Sequence, residues 1–346
     1  VTFSDVSRVA SLAYMFDGAT LFNNGATSDV GGRQLSFATT TSALTNANSM
    51  FNNCAAFNQT VTFGSTAGVT TFYQMFANAS IFNNGDVGDL SGHPMTFTTT
   101  TALLNLSQMF ASCSVFNQSV SFSTTAGVTA MSYMFQYASV FNKAVAFDDT
   151  SSVTTMNSMF YGATAFNNGE VGNTGAAPLA FNTGNVASLD SMFRDANSFN
   201  QHLVLSDASK ATMGFMFSGA AAFNNGNGVN PVTWNASSAT SLVGMFFGAS
   251  SFNQTVALTS TSNVTTIVEM FTLCSSFDNG GVPFVLNTAS LVDATDVFDS
   301  CTSFNQEIQF TDTSALQTTT TMFYGCTLFN NGDATDASSK PLVWTT

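Results

Sequence analysis

Oxygen-bearing side chains collect in the loops that follow a recurring Asn-Gly pair: Asp86 and Asp89 after Asn84-Gly85, Asp333 and Asp336 after Asn331-Gly332, with Asp29 and Glu170 in related loops. Several carboxylate and carbonyl oxygens in one loop are the ligands a hard cation such as Ca²⁺ takes, so these four aspartates are weak Ca²⁺ candidates. The carboxylates change place from loop to loop, and solvated acidic loops are the plainer reading. His93 and His202 are the only histidines, and neither has a Cys, Asp or Glu partner at metal-ligand spacing. The chain has no G-x-S-x-G, no phosphate-cradling glycine loop and no repeated carboxylate pair at a core position, which argues against an enzyme and against a resident cofactor.

Two further residue types invite chemistry. Cys54, Cys113, Cys274, Cys301 and Cys326 all occupy one repeat position, which is Ala in the other copies, so the position reads as a small buried slot holding free thiols. Seven N-x-S/T sequons occur, at Asn58, Asn78, Asn105, Asn117, Asn235, Asn253 and Asn263. Asn58, Asn117 and Asn253 also belong to an inward-facing ladder and are expected to be poor glycan acceptors. Asn78, Asn105, Asn235 and Asn263 lie off that ladder and are the glycosylation candidates.

The element that must position all of these is a repeat. The pattern M-F-x-x-A/C-x-x-F-N begins at Met15, Met50, Met75, Met109, Met134, Met159, Met192, Met216, Met245, Met270, Val297 and Met322. A unit of about 25 residues cannot bury its apolar face alone and must stack on its neighbours, which predicts a solenoid. The expected fold is a leucine-rich-repeat-like parallel β-solenoid of about twelve coils, residues 1–346, as one continuous array. In the fifth copy the alternation of Val145 and Phe147 predicts a strand, and Val153, Met156, Met159 and Phe160 recur at helical or 3₁₀ spacing. One short strand and one short helical turn per coil are therefore expected.

Stacking places like residues over one another. The ladder comprises Asn23, Asn58, Asn83, Asn117, Asn142, Asn167, Asn200, Asn224, Asn253, Asp278, Asn305 and Asn330. An amide at a bend most often turns inward to satisfy backbone groups of the adjacent coil, so a structural role is expected for it. Copies reading F-N-Q or F-N-K run straight into the strand, whereas copies reading N-N-G or D-N-G turn first and add a loop. The two types alternate except at Met134. The residue after the ladder Asn, Gln254 for example, is assigned to an outward turn whose loss should cost little.

The unit seen almost whole in Val128, Met131, Met134-Phe135, Ala138, Phe141-Asn142, Val145 and Phe147 resembles the BspA-like bacterial surface-protein repeat, an offshoot of the leucine-rich repeats. The resemblance implies a leucine-rich-type parallel solenoid on the cell surface or outside the cell, used for adhesion, matrix contact or envelope structure, with no enzymatic activity. The chain departs from that pattern in keeping Trp only at Trp234 and Trp344 and in threonine runs such as Thr39-Thr40-Thr41.

Composition points outward by a separate route. Lys plus Arg total 6 against 20 Asp plus Glu, a formal charge of −14, which argues strongly against a polyanion such as nucleic acid as a partner. No apolar run is long enough to span a membrane. The chain opens at Val1-Thr2-Phe3 and closes at Leu342-Val343-Trp344 in the same phase of the repeat, which reads as an excerpt of a longer array or as ends that meet another copy. A self-associating structural protein of a surface layer, sheath or filament is the expected function. The alternative is an adhesin for a surface protein or glycan. A flat ice- or polysaccharide-binding threonine row is the remote third.

Overall fold

Each winding turns where an apolar side chain can leave water. The Met and Phe of every M-F pair from Met50 to Phe271 are buried, as are Val297 and Phe298 and the F-N rings from Phe57 to Phe304. Burying one such ring contributes about 1.5–3 kcal/mol relative to leaving it exposed. The computed structural model describes residues 3, 5–25, 33–37, 43–87, 92–172, 175–333 and 342. The chain forms two units, Val1–Gly169 and Glu170–Thr346, each carrying six M-F copies and each a parallel β-solenoid.

Within each unit the rings form two parallel columns. In the first unit Phe51 and Phe76 lie 5.3 Å apart and 2° from parallel, Phe57 and Phe82 lie 5.7 Å apart, and Phe76 touches Phe82 of its own coil at 4.0 Å. The second unit repeats this, with Phe246 and Phe271 at 5.4 Å, Phe252 and Phe277 at 5.8 Å and Phe271 and Phe277 at 4.1 Å. Near-parallel rings at these distances are offset-stacked, and each pair adds about 0.5–1.5 kcal/mol beyond its area burial.

Among the described residues eight three-residue strands follow, paired in register: β1 (Leu35–Phe37) with β2 (Val61–Phe63), β3 (Met95–Phe97) with β4 (Val120–Phe122), β5 (Leu179–Phe181) with β6 (Leu203–Leu205), and β7 (Phe284–Leu286) with β8 (Ile308–Phe310). Each pair joins a coil that carries an Asn-Gly loop to the F-N-Q coil after it. The middle residue faces out, as Thr96 between buried Met95 and Phe97 shows. Val145–Phe147, expected as a strand, is not one: no ladder forms on the segment.

The expected helical turn is also replaced. Among the described residues the only helical pieces are two 3₁₀ turns, Thr261–Asn263 and Asn279–Gly281, and neither is at the M-F segment. There the chain makes consecutive reverse turns, with left-handed φ before each Met, as at Tyr14, Gln74, Tyr133 and Glu269, and again three residues after it, as at Asn78, Tyr137 and Gly219. Alternate amides then serve different purposes. The Met75 and Ala77 N–H groups bond back within the coil to Phe72 and Gln74, while those of Gln74, Phe76 and Asn78 reach the next coil at Ser107, Met109 and Ala111. A true helix would spend every amide inside its own turn and leave none to tie coil to coil. That is why a three-and-four spacing of apolar residues here makes turns.

A third corner is closed by buried threonines. Thr66, Thr100, Thr125, Thr183, Thr261 and Thr288 each donate a side-chain hydrogen bond to a carbonyl of the next coil, for example Thr100 Oγ1 to Thr124 O at 2.6 Å and Thr261 Oγ1 to Asn287 O at 2.9 Å.

Candidate functional site

The densest polar chemistry is the amide spine at the bend where F-N leads toward the strand. In the first unit Asn23 Oδ1 accepts the Asn58 N–H at 3.0 Å, Asn58 Oδ1 accepts the Asn83 N–H at 2.8 Å, Asn83 Oδ1 accepts the Asn117 N–H at 2.8 Å, Asn117 Oδ1 accepts the Asn142 N–H at 2.9 Å, and Asn142 Oδ1 accepts the Asn167 N–H at 2.8 Å. In the second unit the chain runs from Asn200 to Asn224, Asn253, Asp278, Asn305 and Asn330 at 2.6–2.8 Å. Each rung thus caps the backbone of the next. Where the next coil reads N-N-G or D-N-G, the same oxygen also accepts the glycine N–H, as Asn58 does from Gly85 at 2.9 Å and Asn253 from Gly280 at 3.1 Å.

A second amide row works in the opposite direction. The Asn before each glycine sits at φ near +50°, and its Oδ1 reaches back to the first strand N–H of the preceding coil: Asn84 to Val61 at 2.9 Å, Asn225 to Leu203 at 2.9 Å, Asn279 to Val256 at 2.7 Å and Asn331 to Ile308 at 3.1 Å. Its Nδ2 holds the inserted loop, donating to His93 O in one coil and to Asn230 O in another. Asn tolerates left-handed φ better than other non-glycine residues, and here the conformation aims its amide at both neighbours.

Gln254 corrects the outward assignment. It is buried, its Oε1 accepts the Asn230 N–H at 3.0 Å, and its Nε2 donates to Gly228 O at 3.1 Å. Gln59, Gln118 and Gln201 do the same for Arg33, His93 and Ala177, so the glutamine of one coil pins the loop inserted in the coil before it. The sequence carried the signal. Glutamine stands in every straight coil that follows an Asn-Gly loop, and Lys143 takes its place in the one straight coil that does not.

The carboxylates proposed for Ca²⁺ fall differently. Asp86 is buried, and its Oδ2 accepts Gln118 Nε2 at 3.2 Å while its carbonyl accepts Asn58 Nδ2 at 2.8 Å. Asp333 is buried beside Asn330, whose carbonyl accepts the Asp333 N–H at 3.0 Å. Glu170 accepts the Gly175 N–H at 2.9 Å and the Gln201 side-chain amide. Asp89, Asp336 and Asp29 lie outside the described residues. Among the described residues no group of three His, Cys, Asp or Glu side chains is placed to hold a metal ion. His93 Nδ1 lies 3.1 Å from Asn84 O, inside the loop anchor.

Of the glycosylation candidates, Asn78 and Asn263 are exposed, and Asn105 and Asn235 are half-buried. The Asn105 and Asn235 Oδ1 atoms accept the N–H of Ser107 and Ser237 at 2.8 Å and 3.0 Å, and Asn263 Nδ2 donates to Ser237 O at 2.8 Å. The ladder sequons Asn58 and Asn117 are buried. The five cysteines are free, and each thiol donates to the M-F phenylalanine carbonyl of the preceding coil, from Cys54 to Phe16 at 2.9 Å through Cys326 to Phe298 at 2.7 Å. Burial pushes the Cys54 and Cys326 thiols up to about 11 and the other three higher. Such thiols are poor nucleophiles and poor metal ligands.

The family described as "Mycoplasma protein of unknown function, DUF285" matches the chain at residues 1–87, 34–121, 104–230, 177–256, 211–285 and 259–340, in successive overlapping stretches. The chain belongs to that DUF285 family. No curated protein and no solved structure matches it. The overlapping DUF285 matches run along the repeated chain. Among the described residues no helix is long and apolar enough to cross a membrane. The match establishes the repeat family and does not single out the BspA-like repeat that the recurring unit resembles.

Proposed function

We propose that this DUF285 chain is a non-enzymatic structural repeat protein of an extracellular surface layer, sheath or filament, its coils continuing as one array and its copies associating end to end or side by side. One observation carries this reading. The side chains able to do chemistry, the ladder amides, the pinning glutamines, the corner threonines and the thiols, are spent on holding coil to coil. What remains for the surface is a skin poor in cations, with Lys plus Arg totalling 6 in 346 residues, which offers few sites to proteases that cut after basic residues. The test is light scattering of the purified protein over rising concentration, together with immunogold labelling of the source cells. Concentration-dependent assemblies and label at the cell periphery are expected. A monomer at every concentration with label confined to the cytosol would overturn the proposal.

An adhesin is the second reading, favoured by one surface feature. Tyr137 is 46% exposed, its ring 4.9 Å from that of Tyr161. It lies over Gly162, where a Cβ would sit 2.4 Å from its Cδ1. An exposed tyrosine held flat by its neighbours is the kind of rigid anchor that binding surfaces use. Loss of matrix-protein or glycan binding in Tyr137→Ala, with an unchanged melt, would move the proposal to this reading. A threonine face is disfavoured: Ser36, Thr62, Thr96 and Ser121 give hydroxyls outward in one unit, but Ala180, Val204, Val285 and Gln309 take that place in the other.

A further inference from the structure

Seven Asn-Gly dipeptides occur, beginning at Asn24, Asn84, Asn168, Asn225, Asn227, Asn279 and Asn331. Asn-Gly is chemically labile because the glycine nitrogen, unhindered by a Cβ, can attack the Asn side-chain carbonyl. Six of the seven belong to the N-N-G or D-N-G turn, and their asparagines are all buried. In five of these the attacking nitrogen is also engaged, because the N–H of Gly85, Gly169, Gly226, Gly280 and Gly332 donates to the ladder Asn of the preceding coil at 2.9–3.2 Å. Removing that proton would break a capping bond, and closing the ring would pull the Asn amide from its partners.

Asn227 stands apart. Asn227 and Gly228 are both exposed, and among the described residues the Gly228 N–H has no acceptor. Asn227 Oδ1 accepts a hydrogen bond from Asn200 Nδ2 at 2.9 Å, as the turn asparagines accept one from a backbone N–H, so what sets Asn227 apart is its exposure and the unengaged Gly228 nitrogen. We propose that Asn227 is a self-modification site, deamidating through a succinimide in the folded protein while the six turn dipeptides stay intact.

The step is closed in atoms and electrons. Hydroxide removes the Gly228 amide proton, the nitrogen attacks Asn227 Cγ and forms the ring C–N bond, and the Cγ–Nδ2 bond breaks with release of ammonia, which takes up a proton. Water then opens either imide carbonyl to give aspartate or isoaspartate. No oxidant or reductant enters. The consequence is local. The new carboxylate would form beside Asn200 Nδ2, on a residue whose backbone nitrogen packs on Gly175, the glycine that Glu170 holds. A second negative charge there opposes the first and loosens that loop.

The test ages the whole protein in H₂¹⁸O buffer near neutral pH, native and in denaturant, and maps label by chymotryptic digestion and mass spectrometry. In the native state Asn227 should convert at least about tenfold faster than Asn84, Asn168, Asn225 or Asn279, and in denaturant all seven should converge to similar rates. Gly228→Ala, whose Cβ hinders the nitrogen and meets only the Asn230 side-chain amide, at 3.3 Å, should slow label at 227 and leave the rates at the other six sites unchanged. Equal native rates at all seven sites would overturn the proposal. So would a rate order that survives denaturation, because local sequence would then decide it.

Discussion

Asn58 offers the sharpest measure of what the amide spine contributes. Its Oδ1 accepts the buried N–H groups of Asn83 at 2.8 Å and Gly85 at 2.9 Å, and its Nδ2 donates to Asp86 O at 2.8 Å. Asn58→Ala removes all three partners at once and orphans two buried backbone donors. An unsatisfied buried donor costs about 1–3 kcal/mol, so the two together set an expected loss of about 2–6 kcal/mol before any water enters. Gln34→Ala is the control, because Gln34 makes one exposed hydrogen bond, to Thr62 Oγ1 at 2.9 Å, and exposed changes of this kind usually stay within about 0.5 kcal/mol. A repeat array need not unfold in one step, so urea melts are best paired with hydrogen exchange read by peptide. Protection should fall first around residues 83–87 and spread to the coils on either side. Should Asn58→Ala cost no more than Gln34→Ala, or should protection fall evenly along the chain, the capping argument is wrong.

Three further outcomes follow from the same geometry. Gln254→Ala should destabilise by about 1–3 kcal/mol and raise hydrogen exchange in residues 226–231, since it frees both the Asn230 N–H and the Gly228 carbonyl; a neutral effect would restore the outward assignment. A thiol reagent at about pH 8 should label Cys113, Cys274 and Cys301 only after denaturation, because burial holds these thiols protonated; rapid native labelling of Cys113 would refute its slot. Hydrogen bonds from the Thr125 hydroxyl, with help from the Thr125 amide and the Thr124 hydroxyl, hold the Asp148 carboxyl down to about 2 from its usual 3.8. A depressed folded value gives stability that is present above the unfolded value and lost as pH falls through the folded one. The melting difference between wild type and Asp148→Asn should therefore shrink between about pH 4 and about pH 2, by a modest amount because the group is exposed.

What could be read without coordinates was whatever the repeat writes many times in apolar letters. Phe51 and Phe57, Phe76 and Phe82 announce the two ring columns, because only stacking hides so many rings in so short a unit. The backbone conformation was harder to read. Met156, Met159 and Phe160 fit a helix and a string of reverse turns equally well, and period alone does not separate them. The discriminating letters were the glycines at Gly18, Gly162, Gly219, Gly248 and Gly325, three residues after Met, where left-handed φ recurs in every copy. Tyr137 and Leu273 hold the same conformation against their own preference, so the surrounding stack imposes it.

Glutamine was misread for a different reason. A polar residue next to a turn is usually solvated, and in a single coil Gln254 gives no sign of burial. Its role appears only when coils are compared in order, because Gln59, Gln118, Gln201 and Gln254 each accept a backbone N–H of a loop inserted one coil earlier, at Arg33, His93, Ala177 and Asn230, while Gln306 donates to Asp278 Oδ2 of the coil before it. Where no loop precedes, no orphaned N–H awaits a carbonyl, and Lys143, which has no acceptor to offer, is tolerated. The dependence therefore runs between neighbouring coils. In a solenoid the informative unit is the pair of windings, since each polar side chain answers a backbone group that belongs to the next or the previous turn.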